Sequence, residues 1–190
     1  MRYLILIFIL ICQPLYAETD EAIFAGGCFW CVEADFDKVP GVLQTTSGYD
    51  GGTEPNPSYE LVSSGTTNYV ESVKVLYNPA VVSYQQLLNY YWHHIDLTAK
   101  EAQFCDQGRQ YRSVIFYLNE EQKKEALSSK LSLQTQFPLI FTDIIPSTHF
   151  YEAETYHQNY YQKNPLRYKY YRYRCGRDKR IEEIWHDKIN

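Results

Sequence analysis

Six consecutive residues, Gly26-Gly27-Cys28-Phe29-Trp30-Cys31, constrain this chain most, because they put two thiols and two large aromatics within one turn of backbone. Residues 22–25, Ala-Ile-Phe-Ala, predict a short buried strand, and the two glycines a tight turn. Residues 32–36 predict a helix that stops before Pro40-Gly41. Cys28 is thereby placed at a helix N-terminus, where free backbone N–H groups and the positive end of the dipole favour thiolate over thiol. Strand, glycine turn and helix present a candidate nucleophile, with Cys31 three residues on at the spacing of redox thiol pairs. The bland alternative is a pair of small core residues flanked by ordinary core aromatics.

Further along, residues 42–47 predict a second strand that ends at Gly48. Residues 49–68 are rich in Gly, Pro, Ser, Thr and Asn and predict a long functional loop. Residues 70–77 alternate, with Val73, Val75 and Tyr77 on one face, Ser72 and Lys74 on the other. Glu71 shares the apolar face, where a carboxylate at the start of a strand is either frayed into water or partly buried, and burial would raise its pKa and keep it protonated. Ser83 and Gln86 form a capping box for a helix with Leu87, Leu88, Tyr91 and Trp92 inward. His93-His94 near its end suit the helix dipole better than a metal, because adjacent helical residues do not share a face.

A strand is predicted over 111–118, a helix capped by Asn119 and Gln122 to about Thr135, a strand over 138–145, and an aromatic helix over 153–163. The first six elements, in the order strand, helix, strand, strand, helix, strand, fit an α+β fold. We expect a single-domain two-layer α/β plait, with a ferredoxin-like split β-α-β core, long loops and an irregular C-terminal extension. The expected core covers about residues 21–165 and the extension 166–190.

Arg2, an apolar run over residues 4–11, and Ala17 before an acidic stretch predict a signal peptide over 1–17. The run is too short to span a bilayer. The expected product is exported, periplasmic or secreted, monomeric, without stable membrane insertion, and keeps Cys28, Cys31, Cys105 and Cys175. The net charge of −5 argues against general nucleic-acid binding. Eight Lys or Arg against one Asp lie between Lys163 and Arg180, a run expected to be a solvated surface that balances an acidic body.

The residues also carry a family resemblance. Gly27 to Trp30, Gly48-Tyr49-Asp50-Gly51-Gly52, Pro55-Asn56-Pro57-Ser58-Tyr59, Glu71-Ser72-Val73, Gln110-Tyr111-Arg112-Ser113 and His157-Gln158 followed by Asn164-Pro165 stand in order at compatible spacing. In these motifs the chain resembles the A-type methionine sulfoxide reductases, the peptide-methionine (S)-S-oxide reductases. The resemblance implies that Cys28 attacks the sulfoxide sulfur and Glu71 supplies the proton. It implies that Tyr59 and Tyr111 hold the oxygen, Asp106 is a polar partner, and Phe29 and Trp30 wall the substrate methyl group. Cys28 would become a sulfenic acid and then a disulfide, with Cys31 as the first-choice resolving thiol and Cys175 as the alternative, either resolving or relaying. Cys105, next to Asp106, reads more readily as a buried bystander than as a third redox thiol.

The same resemblance implies no bound cofactor, an external thioredoxin-like dithiol as electron donor, and oxidised proteins or peptides carrying methionine sulfoxide as substrates. Two departures stand out: Tyr69 where the family often has His, and a Tyr- and Arg-rich tail where it often has a glycine-rich ending. Competing readings are a thiol-disulfide oxidoreductase using Cys28 and Cys31, a zinc module using Cys28, Cys31, Cys105 and a His, and a binding protein acting through the basic tail.

Overall fold

The computed structural model describes residues 18–185, so the predicted signal peptide over 1–17 lies outside the described residues. The elements in chain order are β1 (Asp20–Gly26), α1 (Phe29–Phe36), β2 (Val42–Asp50), α2 (Tyr59–Ser63), β3 (Val70–Tyr77) and α3 (Tyr84–Trp92). A two-residue hairpin follows, β4 (Ala102–Gln103) and β5 (Asp106–Gln107), then a 3-10 turn at Arg109–Tyr111. The second half holds β6 (Ser113–Tyr117), α4 (Glu120–Leu133), β7 (Asp143–Pro146), β8 (Tyr151–Glu152), α5 (Tyr160–Lys163), α6 (Pro165–Cys175) and α7 (Arg177–Trp185).

Six strands form one sheet in the order β7-β6-β1-β3-β2-β8. The central four are mutually antiparallel, β8 adds antiparallel to β2, and β7 adds parallel to β6. Period-2 alternation decides the layers. Ala22 and Phe24 of β1 join Val73, Val75 and Tyr77 of β3 on the face covered by Val32 and Phe36 of α1 and Leu87, Leu88 and Tyr91 of α3. Phe24 stacks on Phe36 and Tyr91 with ring centroids 4.9 and 5.1 Å apart. Ile23, Ala25, Val70, Val114 and Phe116 form a smaller cluster on the opposite face.

Local chemistry explains several boundaries. Ser83 and Gln86 make the full capping box that starts α3, and Asn119 Oδ1 accepts from the Gln122 N–H to start α4. His93 and His94 place their Nδ1 atoms 2.8 and 2.7 Å from the carbonyls of Asn89 and Tyr90, at the end of α3.

Five expectations need correction. β2 runs past Gly48 to Asp50, since Gly48 and Asp50 pair with Ser72 and Val70. The loop over 49–68 contains α2, capped by Ser58. The strand expected over 138–145 is ordered as a strand only over Asp143–Pro146, where it meets β6. The aromatic helix begins at Tyr160, because Glu154 and Gln158 spend their side chains bonding the backbone and hydroxyls of neighbouring segments instead. The extension is not irregular: Pro165 opens α6 and Gly176, at φ 68°, ends it in the left-handed conformation before α7.

Candidate active site

The turn between β1 and α1 positions everything else. Gly27 sits at φ 88°, and a Cβ there would meet Gln103 Cβ at 2.7 Å, so only glycine lets the chain turn this close to β4. Gln103 is held in turn by its amide, which donates to the Asp96 carbonyl and accepts from the Asp96 N–H. Cys28 becomes the N-cap of α1. Phe29, one residue on, donates its backbone N–H to Glu71 Oε2 at 3.0 Å, which draws the β3 carboxyl to the first turn of the helix.

Around that turn lies a cavity of about 120 Å³, lined by Cys28, Phe29, Trp30, Tyr59, Glu71, Asp106, Tyr111 and Tyr171. Larger clefts exist, such as one of about 300 Å³ beside Gln44, Lys74 and Phe150, but no thiol lines it. Seven of the eight lining residues are those singled out in the sequence. Cys31 is buried beneath the wall with Ala34, Tyr160 and Tyr168, and Cys28 and Cys31 are both free thiols.

The surroundings push the two thiols in opposite directions. Burial pushes the Cys28 thiol well up, and its hydrogen bond to Cys31 and the charges of Cys31, Glu71 and Asp106 add to this. Cys31 goes the other way, because the hydrogen bond from Cys28 holds it down despite burial, with help from Arg177 and Arg172. Desolvation at Cys28 thus opposes the pull of the helix terminus on the same thiol. Burial lifts Glu71 to about 8, against the pull of the Phe29 N–H, so it is a protonated donor at neutral pH. Burial also raises Asp106 and pushes the Tyr59 hydroxyl up to about 12. Tyr111 is raised by burial as well.

Several supporting residues had no assigned role in the sequence. His157, quoted only as part of a motif, accepts from Trp30 Nε1 at 3.0 Å and packs at a tilt against the rings of Phe29 and Tyr59. Burial holds its imidazole down to about 4, so it stays neutral and able to accept. Tyr160 stacks on the other side of Trp30 at 3.7 Å. Glu154 accepts from the Tyr59 N–H and the Tyr49 hydroxyl, each at 2.7 Å, fixing α2 against β2. Tyr69 does not bond the acid: its hydroxyl donates to the Glu54 carbonyl, and its ring covers Gly52.

The basic tail is more than a solvated surface. Arg172 and Arg177 turn inward to Asp35 of α1, at 2.9 and 3.5 Å, and Arg180 reaches Asp96 at 2.7 Å. Arg177, 2% exposed, also donates to the carbonyls of Gly26 and His94. Cys105 is no buried bystander either, for it is exposed and bonded to Cys175. That bond removes Cys105 from any shared zinc site with Cys28 and Cys31, and it removes Cys175 as a free resolving thiol in this state.

A buried thiol pair, a protonated carboxyl and two phenol hydroxyls around a cavity this small define a thiol oxidoreductase for a compact polar group. Residues 20–189 match the family "Peptide methionine sulfoxide reductase", and the chain belongs to it. The MsrA of Halalkalibacterium halodurans is 46% identical over 169 residues, covering 87% of this chain and 96% of that protein. The MsrA/MsrB protein of Vibrio cholerae is 44% identical over 173 residues, covering 89% of this chain and 46% of its own length. Mxr1 of Saccharomyces cerevisiae, solved in reduced form, superposes with a TM-score of 0.75 at 34% identity, covering 80% of this chain and 88% of that one. Mxr1 is also solved in complex with Trx2.

Proposed function

We propose that this enzyme reduces the S epimer of methionine sulfoxide in oxidised proteins and peptides. The observation that carries the reading is Glu71, buried and protonated within the cavity that holds Cys28. A sulfoxide oxygen leaves poorly unless protonated, and a neutral carboxyl supplies that proton as the thiol attacks sulfur. Tyr59 and Tyr111 aim hydroxyls at the oxygen, while Phe29 and Trp30 receive the apolar part of the side chain. In the first step the sulfoxide oxygen passes to Cys28, giving methionine and a Cys28 sulfenic acid. In the second, the Cys31 thiolate attacks the Cys28 sulfur, a disulfide forms and water leaves.

An external dithiol then returns both thiols. Trx2 in the Mxr1 complex supports a thioredoxin-like donor here, with no bound cofactor. The apolar run over residues 4–11 supports export, and in an oxidising compartment such a donor needs its own electron supply. A cavity completed within one chain supports a monomer, and the net charge of −5 supports a reaction independent of nucleic acid. The antiparallel order β6-β1-β3-β2 supports the reading of the core as a split β-α-β plait.

The experiment is single-turnover reduction of a peptide carrying S or R methionine sulfoxide, by pre-reduced protein and by Cys28→Ser. Product from the S epimer alone, and none from Cys28→Ser, is expected. No product from either epimer, with insulin disulfides reduced instead, would favour a thiol-disulfide oxidoreductase.

A further inference from the structure

Tyr171 stands on α6, outside the span that the sequence assigns to the core, yet its ring lines the cavity beside Cys28. Its hydroxyl donates to Asp106 Oδ2 at 2.7 Å, and its ring meets Trp30 edge-on at 5.9 Å. Asp106 lines the same cavity as Cys28, so one carboxylate connects Tyr171 to the surroundings of the nucleophile. A second link lies one helical turn further on. Cys175, four residues after Tyr171, is bonded to Cys105, the residue before Asp106. Residues four apart share a helix face, so one face of α6 grips two consecutive residues of the β4–β5 hairpin.

We propose that Tyr171 is a positioning residue for the reductive step: its hydroxyl holds the Asp106 carboxylate at the wall of the cavity that contains Cys28, and its ring closes that cavity. The Cys105–Cys175 disulfide keeps α6 in place for both. The rate consequence rests on the reductase reading, whereas the consequence for Cys28 follows from the charge of Asp106 in the shared cavity and holds whatever the substrate. The groups facing Asp106 are Cys28, Glu71 of β3, Tyr59 of α2, Tyr111 of the 3-10 turn and Arg177 of α7. A buried carboxylate that loses a donor keeps its charge with less to offset it. That charge raises the Cys28 thiol.

Tyr171→Phe deletes the hydroxyl and keeps the ring. Its control is Tyr173→Phe, on the same helix and 82% exposed. The first readout needs no substrate: the pH dependence of iodoacetamide alkylation, resolved at Cys28 by mass spectrometry. In Tyr171→Phe the midpoint should rise by about one pH unit, a tenfold loss of thiolate, with no change in the control. A fall would mean that the site had merely opened, because burial is the main cause of the raised Cys28 thiol. A fall, or no change, overturns the proposal.

The second readout is single-turnover reduction of the S-sulfoxide peptide. The maximal rate should drop about tenfold, the worth of one hydrogen bond to a charged group, while the half-saturating peptide concentration changes little. A loss confined to that concentration also overturns the positioning role. Wild-type protein inactive on both epimers would remove the reductase reading and leave the alkylation result to decide.

Discussion

Glu71 is 2% exposed on the face it shares with Val73 and Val75, and its folded pKa of about 8 stands above the unfolded value of 4.5. The folded state therefore holds this proton more tightly than the unfolded state. The associated stability is complete below about pH 4.5 and is lost as pH rises through 8. Glu71→Gln accepts the Phe29 N–H without ionising, so its urea midpoint should gain on wild type between pH 6 and pH 9. The same substitution removes the proton donor, and single-turnover sulfoxide reduction at neutral pH should fall ~10²–10⁴-fold. Wild-type rates should decline above pH 8 as the donor ionises. Parallel stability curves together with an unchanged rate would take Glu71 out of the chemistry. Gly27 makes a second test at this scale, since a Cβ there combines left-handed backbone with the 2.7 Å approach to Gln103. Gly27→Ala should cost about 2 kcal/mol or more, read as a melting temperature lower by about 4–8 °C.

Among the elements, α6 and α7 carry the largest unforeseen share of the site. Their attachment is testable through Cys105–Cys175, whose partners lie 70 residues apart. Closing a loop of that length constrains the unfolded chain by about 4 kcal/mol in the entropic model, and measured bridges give about 2–4. Cys175→Ser should lose that amount in non-reducing urea titrations, and wild type should fall to the same midpoint when dithiothreitol is added. Coincident curves for wild type and variant without reductant would show that the bridge is absent. These helices were hard to foresee for a physical reason. Their fully buried positions are Tyr168, Arg177 and Ile181, so no aliphatic stripe marks a helical period. The stop signals Asn164-Pro165 and Gly176 were present in the sequence, and the polar composition masked them. By contrast β3 and α3 were legible to within a residue, because period-2 valines and a Ser-Gln capping box are local signals. The nucleophile, the acid and the two hydroxyls could be named from motifs. Tyr171 and the Asp35, Arg172 and Arg177 cluster could not, since only tertiary contact brings them to α1.

For the whole molecule, the decisive property is that the described residues hold two cysteine pairs in different oxidation states. Cys28 and Cys31, 6% and 2% exposed, are free inside the fold, while Cys105 and Cys175 are bonded at its surface. The buried pair is reached through a cavity sized for a small group, so bulk oxidants meet the surface pair first and substrate meets the buried pair. A thiol count on protein lacking residues 1–17 separates the two. Unfolded without reductant, the resting enzyme should show two thiols, assigned to Cys28 and Cys31 by mass spectrometry, and unfolded with reductant it should show four. One equivalent of S-sulfoxide peptide should take the first count from two to zero, with Cys28 joined to Cys31, while the R epimer leaves it at two. In Cys31→Ser the same equivalent should leave a Cys28 sulfenic acid that dimedone traps. A count that stays at two after S-peptide turnover would break the disulfide step. A Cys28–Cys175 linkage in its place would instead mean that the surface bridge exchanges with the site, and that α6 moves during every cycle.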